Sequence, residues 1–468
     1  MQTLFDLLNY AASSKAPPLW ATENDRVHRD FQIASKFQNT LNFRVYGTNT
    51  LTGHRDGEEG FGTENIDINA EILSTHAISY GENYCAFEVK CISYAKLYSL
   101  AAGYTGIDTR CYRELQELCV RTDFNPLIPK GSSYSCGDVI PAAHWARNVF
   151  ERFRDKNIPT PQGTAMALIN GAFVHIGLAA ASVKNIEIPF AIFLENSIAH
   201  AQFSNRVGEL YYFSNAERSW PASVMQHVRA KVVKRGFSHE KQSSVSIRAI
   251  PQELEAFCVA AEDYMREINL LIFKPSGNPL FVEGEPAPLS QASFFCPTLS
   301  IKTGALIEAI LFCAWAVVQR VIFILSGDTT VPIDGGDQGS PLGLIQIPKL
   351  MMGKLEAMRS KYGSRCYSSG GQTSYGIEDL WTHGVGQVEN LIEVLGDFSE
   401  ISILEAYVLA MADKKFDIFA EPSKFIKKVK ESAAPADAVA LLRDDRLLML
   451  LEESLEQFPT RHPKDSCR

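Results

Sequence analysis

From Asp138 onward, apolar residues return every three or four positions in run after run, and several runs are too long for a strand. Val139–Phe153, Gly163–Ser182, Gln252–Phe273, Ser300–Leu325, Leu342–Tyr362, Ile377–Leu395, Ser399–Ala412 and Ala436–Phe458 all read as helices. In the third run, Leu254, Phe257, Cys258, Ala261, Tyr264 and Met265 form one apolar stripe. Such a pattern points to a mainly all-α architecture, a bundle of long antiparallel helices. The first 140 residues are more mixed, with many Gly, Asn and Thr. Loops rich in Gly, Ser, Pro or Asp are expected at Gly47–Gly62, Lys274–Ala287, Gly327–Ser340 and Ser364–Gly376. The chain is read as two domains, 1–205 and 206–468.

With 468 residues and 46% hydrophobic content, the chain has ample material for a core. Net charge is -9 and the pI about 5.7. No basic patch is interleaved with aromatics, so nucleic acid is not an expected partner. The N-terminal MQTLFDLLNYAASSKAPPLW lacks a basic n-region and a long apolar h-region, so no secretory signal is expected. The most apolar stretch, Ala305–Leu325, carries Glu308, Gln319 and Arg320. It is expected to be a buried core helix and not a membrane span.

The ten cysteines, at 85, 91, 111, 119, 136, 258, 296, 313, 366 and 467, form no C-x-x-C pair. No His cluster has zinc spacing, so no metal is expected. Scattered cysteines in an acidic chain of this size fit a reducing cytoplasm. The lysines at 414, 415, 424, 427, 428 and 430 could meet an anionic partner, but acids are interspersed and a solvated helix face accounts for them. The stretch D-G-G-D-Q-G-S, 334–340, lacks the Lys-Ser/Thr step of a phosphate loop.

Two segments carry more. In F-R-V-Y-G-T-N-T-L-T-G-H-R-D, 43–56, Tyr46 precedes Gly, Asn and Gly on a loop; taken by itself it reads as a turn tyrosine. In P-L-I-P-K-G-S-S-Y-S-C-G-D-V-I-P-A-A-H-W-A, 126–146, the residues Gly131, Ser132, Gly137, Asp138, Pro141, Ala143 and His144 fall in register on a known pattern. That pattern is Gly-Ser-x-Gly-Ala-Ser-Gly-Asp-Leu-x-Pro-Leu-Ala-His. The segment resembles the aromatic amino acid ammonia-lyase and aminomutase family, the histidine and phenylalanine ammonia-lyases, and most of all its histidine type. Five further segments resemble the family in its order: G-Y-T-G-I (103–107), A-L-I-N-G-A (167–172), K-Q-S-S-V-S-I-R-A-I-P-Q (241–252), S-F-F (293–295) and T-S-Y-G-I-E-D-L-W-T-H-G (373–384).

The resemblance implies the helical histidine ammonia-lyase/fumarase-like fold, with the catalytic Tyr loop and tripeptide in 1–205 and the long-helix bundle in 206–468. It implies that Ser135-Cys136-Gly137 cyclise into a methylidene-imidazolone, with no external cofactor. Glycine is needed because a Cβ would obstruct the tight approach. The product is an electrophile that captures the substrate amine, while a base removes a β-proton; helix N-termini favour the charge that develops on the ring oxygen. Cys136 stands where the family has serine, and three readings stay open. It eliminates hydrogen sulfide in place of water, or it stays a thiol nucleophile with a lowered pKa, or it is an uncyclised residue in a site that has lost the cofactor.

Carried over by position, Tyr46 matches the acid/base tyrosine beside the ring and Asn170 the asparagine near the ring and the substrate carboxylate. Arg248 matches the arginine that forks onto that carboxylate. Phe294 matches the aromatic packed near the ring. Glu378 matches a glutamate facing the substrate, and its burial would suit a base. His76 falls where histidine-type members use a histidine toward a polar substrate ring; helix packing explains it as well. At the pocket positions the family's polar residues give way to Val245, Ile377, Ser293 and Ser243. The implied activity is a carbon–nitrogen lyase that eliminates ammonia from a histidine-like, aromatic or unusual α-amino acid, in a homotetramer with shared sites. The alternatives are a 2,3-aminomutase, a ring-free lyase for a substrate such as a quaternary ammonium, and a pseudoenzyme scaffold.

Overall fold

The structure, a computed structural model, describes residues 2–38, 45–48, 50, 52, 67–131, 133, 136–204, 219–231, 244–325, 342–363, 374–416, 419 and 421–459. Ser135, Ser243 and the expected loop Gly327–Ser340 lie outside them.

The described residues are helical, with two isolated β-bridges and no strand. Six helices occupy the N-terminal stretch: α1 (Gln2–Ser13), α2 (Pro18–Thr22), α3 (Asn24–Gln38), α4 (Ile68–His76), α5 (Ala86–Ala101) and α6 (Thr109–Cys119). Then come α7 (Val139–Asp155), α8 (Thr164–Ile169), α9 (Phe173–Ser204), α10 (Ser219–Lys231), α11 (Val245–Arg248), α12 (Ile250–Ile272), α13 (Pro297–Leu325), α14 (Leu342–Tyr362) and α15 (Gly384–Phe416). Four short helices follow: α16 (Lys424–Lys430), α17 (Pro435–Ala440), α18 (Leu447–Leu450) and α19 (Glu452–Leu455).

The chain divides into two units, each discontinuous in sequence. The first gathers Met1–Ser182, Met265–Thr303 and Cys366–Glu389; the second gathers Val183–Tyr264, Gly304–Arg365 and Asn390–Arg468. The expected domain cut after residue 205 falls inside the second unit.

In the first unit, α5 is buried from Cys91 to its end, and α9 crosses it at Gly177, where a Cβ would collide with the backbone of Ile92. Asn69 of α4 ties this helix to the start of α8: its Nδ2 donates to the carbonyls of Thr160 and Pro161, and its Oδ1 accepts from Ala165 N at 2.9 Å. In the second unit the core is aromatic. Phe190 meets Trp220 at 5.2 Å and Phe193 meets Phe398 at 5.6 Å between ring centroids, and Phe257 packs against Phe190 and Phe193.

Three expected helices take a different form. Gly163–Ser182 is broken at Asn170–Ala172, because Asn170 is extended and Gly171 has φ +127°. A Cβ on Gly171 would also meet Ser276 Oγ at 2.7 Å. The run from Ile377 becomes helical only at Gly384, behind His383 with φ 52°, and then continues unbroken to Phe416. Ala436–Phe458 is a chain of short helices interrupted by the extended Asp444.

Thr164–Gln202 and Pro297–Leu325 are long and apolar enough to cross a membrane by length and composition alone. In the protein, 94% and 61% of their most apolar windows are buried, as core helices require.

Candidate active site

Tyr46 sits half-buried in the turn Val45–Thr48, which is closed by Thr48 N donating to Val45 O at 3.0 Å. The next residue, Gly47, lies flat against Met166 of α8, and a Cβ there would collide with it. Met166 is one helical turn before Asn170, so the tyrosine turn and the asparagine share one wall. Asn170 is buried; its Nδ2 donates to Asn278 O at 3.0 Å and approaches Met166 Sδ at 3.4 Å. Its Oδ1 meets no donor among the described residues.

Beneath Asn170 lies a group that the motif comparison did not find. Lys96 of α5 is buried and donates to the Asn170 carbonyl, with its ammonium over the Phe173 ring. Burial pushes its amine down to about 7. The only signal in the sequence is a lysine in the middle of C-I-S-Y-A-K-L-Y-S-L-A-A, where a buried helix would not otherwise carry one.

Cys136 and Gly137 form the turn ahead of α7. Cys136 is half-buried, and burial pushes its thiol up to about 11, with the Glu378, Asp138 and Asp379 carboxylates adding to the rise. This rise runs against a thiolate with a lowered pKa: acids lie near the sulfur, and no cation among the described residues is seen to offset them. Glu378 itself, half-buried between Gly376 and α15, is within electrostatic reach of Cys136. Phe294 covers Gly137, its Cδ2 lying 3.4 Å from where a Cβ would stand.

Asp138 turns the chain into α7 with φ 51° and does not cap that helix with its side chain. Instead it accepts a short hydrogen bond from Ser133 Oγ. Burial pushes its carboxyl up to about 6, the Ser133 bond opposes this, and Glu389 adds to it. His144, in the same motif, accepts from Ser79 N at 2.9 Å through Nε2.

The first unit thus brings together Cys136, Gly137, Phe294 and Glu378, and separately the Tyr46 turn with Asn170. His76 ends α4, which packs on α7 and α8. Its Nδ1 lies 2.7 Å from the Ile72 carbonyl of its own helix, so Nδ1 is the donor in that contact.

Arg248 and Val245 belong to the second unit, on α11. Arg248 is half-buried, and its Nε is buried without a partner among the described residues. Val245 is 67% exposed; in the first unit, Ile377 is 66% exposed and Ser293 is exposed as well. Among the described residues, no group of three His, Cys, Asp or Glu could hold a metal ion.

The sequence pattern of the family described as aromatic amino acid lyase matches residues 3–434. A probable histidine ammonia-lyase of Thermoplasma acidophilum is 24% identical over 435 residues, spanning 84% of this chain and 85% of the relative. Tyrosine aminomutase from Streptomyces globisporus matches with a TM-score of 0.82 at 16% identity, covering 97% of both chains. The ergothioneine-degrading ergothionase of Treponema denticola matches with a TM-score of 0.80 at 16% identity, covering 99% of this chain and 98% of its own. At such identities the structural likeness establishes the fold.

Proposed function

The chain belongs to the aromatic amino acid lyase family, and from that premise we propose that it is a carbon–nitrogen lyase. It eliminates ammonia from a histidine-like, aromatic or unusual α-amino acid and leaves an α,β-unsaturated acid. The observation that carries this reading is that Phe294 packs over Gly137 and Glu378 comes within electrostatic reach of Cys136, both from distant parts of the chain.

The residues at 136–138 fit a methylidene-imidazolone formed from Ser135-Cys136-Gly137. Cys136 carries a β-substituent that can leave, Gly137 offers no Cβ, and the Phe294 ring gives a flat group an aromatic surface. When formed, that group supplies an electrophile toward the substrate amine. The protein's own side chains do the rest. Arg248 has a buried donor to offer, and a planar carboxylate is the ligand that a guanidinium fork satisfies. Tyr46 and Glu378 are the groups suited to take the β-proton and to return one to the leaving amine. Asn170 is held by Lys96 through its backbone and so can present its Oδ1 to a donor on the substrate.

Val245 and Ile377 are pocket positions by family resemblance, yet both are exposed within one chain. That suits a homotetramer in which each site is completed by other copies, working in the cytoplasm without an external cofactor.

Incubation with a panel of histidine-like, aromatic and unusual amino acids tests the proposal, followed by ultraviolet absorbance and ammonia release. One substrate should yield an unsaturated acid and ammonia in equal amounts. A β-amino acid without free ammonia would make the chain an aminomutase. Turnover by protein with an unmodified tripeptide would make it a ring-free lyase. If protein bearing the intact ring consumes nothing, the proposal fails.

A further inference from the structure

Gly131 opens the loop that leads to the tripeptide, and its amide has a partner far away in sequence. It donates to Glu389 Oε1 at 2.9 Å, and the same oxygen accepts from Tyr84 Oη at 2.6 Å. Glu389 lies on α15 and Tyr84 just ahead of α5, both in the first unit. The backbone on either side is already paired: Tyr84 N donates to Ile128 O at 3.0 Å, and Lys130 N donates to Glu82 O at 2.7 Å. Tyr84 is buried, and burial pushes its phenol up, so it remains a donor. At the other end of the loop, Asp138 is buried in a left-handed conformation and held by Ser133. The tripeptide is therefore bracketed between two fixed points, Gly131 and Asp138. Gly131 is fixed by a side chain from outside the loop, Glu389 of α15.

We propose that Glu389 is a positioning residue for ring formation: its single carboxylate oxygen, holding Gly131 N–H and the Tyr84 hydroxyl, fixes the start of the loop so that Gly137 can close on Ser135. This rests on the ring assigned above. Closure joins Gly137 N to the Ser135 carbonyl carbon. The carbonyl oxygen leaves as water with the protons of Gly137 N–H and Cys136 N–H, and a C=N bond forms to Cys136 N. Cys136 then loses its Cα proton and its sulfur as hydrogen sulfide, which leaves a Cα=Cβ bond; no oxidant or reductant is consumed. Because closure is intramolecular, its rate depends on how often the two atoms meet, and a loop tethered at both ends samples fewer open arrangements.

The test is a time course of peptide mass for residues 131–144 in the full-length wild type, Glu389→Ala, Glu389→Gln and Glu389→Asp, each checked for native helicity by circular dichroism. Glu389→Gln keeps an acceptor oxygen in place and should cyclise as the wild type does. Glu389→Ala has no acceptor, and Glu389→Asp draws it back by a methylene; both should cyclise at least about tenfold more slowly. Should Glu389→Ala fail to fold, Glu389→Asp carries the same contrast. A folded Ala or Asp variant that cyclises at the wild-type rate overturns the role of Glu389 alone, as does a Gln variant as slow as Asp. A wild type that never cyclises overturns the ring itself, and this inference with it.

Discussion

Lys96 Nζ donates to the backbone carbonyl of Asn170 at 2.8 Å from a side chain that is 1% exposed, 4.6 Å from the centre of the Phe173 ring. Burial brings its amine down from 10.5 to about 7. Between those values the unfolded chain holds a proton that the folded chain does not, so folding stability rises with pH across that window and is lost as pH falls through about 7. Lys96→Met should remove this dependence. In thermal unfolding at pH 7 and pH 9.5, the wild type should gain on the variant by about 3 kcal/mol at most. Parallel behaviour would mean that the lysine is not buried as described.

Cys136→Ser and Cys136→Ala separate the chemistry of position 136 from its packing. Serine can still lose its β-substituent, as water, and should keep turnover within about tenfold. Alanine has nothing to lose, and turnover should fall by roughly a thousandfold or more, about 4 kcal/mol of barrier. Equal activity in the two variants would argue against a ring at this position.

Arg320 lies fully buried in the second unit. Its Nε donates to Glu405 Oε1 at 2.8 Å, and its Nη1 donates to Glu253 and to the Ser246 carbonyl at 3.3 Å. Burial alone would raise Glu405, but Arg320 and His200 hold it down to about 2. Its contribution to stability is thus present above the ordinary value of 4.5 and is lost as pH falls from there toward 2. Arg320→Met leaves two buried acids without their cation and should cost about 3–5 kcal/mol, read from urea unfolding. Ser246 lies on the short helix that carries Arg248, so the same variant should raise KM more than it lowers kcat.

On α13 and α14, Phe312, Trp315 and Leu350 stand 47%, 43% and 49% exposed. Exposed apolar surface of this kind is what a contact between copies of the chain would cover. Light scattering should give the mass of four chains for the wild type and a smaller assembly for Phe312→Glu. A monomeric wild type would contradict the shared-site arrangement.

The long helices were legible because each keeps an apolar stripe: α12, α13 and α14 begin and end within a few residues of the periodic runs. Their interruptions were not. Around Asn170 the apolar residues continue on both sides, and only the positive φ of Gly171 and its contact with Ser276 stop the helix. Glu378 was expected on a helix, but the left-handed His383 keeps α15 from extending back to it. Tyr46, Asn170, Arg248, Phe294 and Glu378 stand as candidates through their motif positions. Lys96, Tyr84 and Glu389 do not, because their roles arise only from contacts between segments far apart in the chain.

The most direct measurement is intact-protein mass together with the peptide mass of residues 131–144 from the wild-type chain. Cyclisation of Ser135-Cys136-Gly137 requires both masses to fall short of the encoded values by one water and one hydrogen sulfide. The encoded masses, with a free thiol at Cys136, would contradict a self-made electrophile at this site.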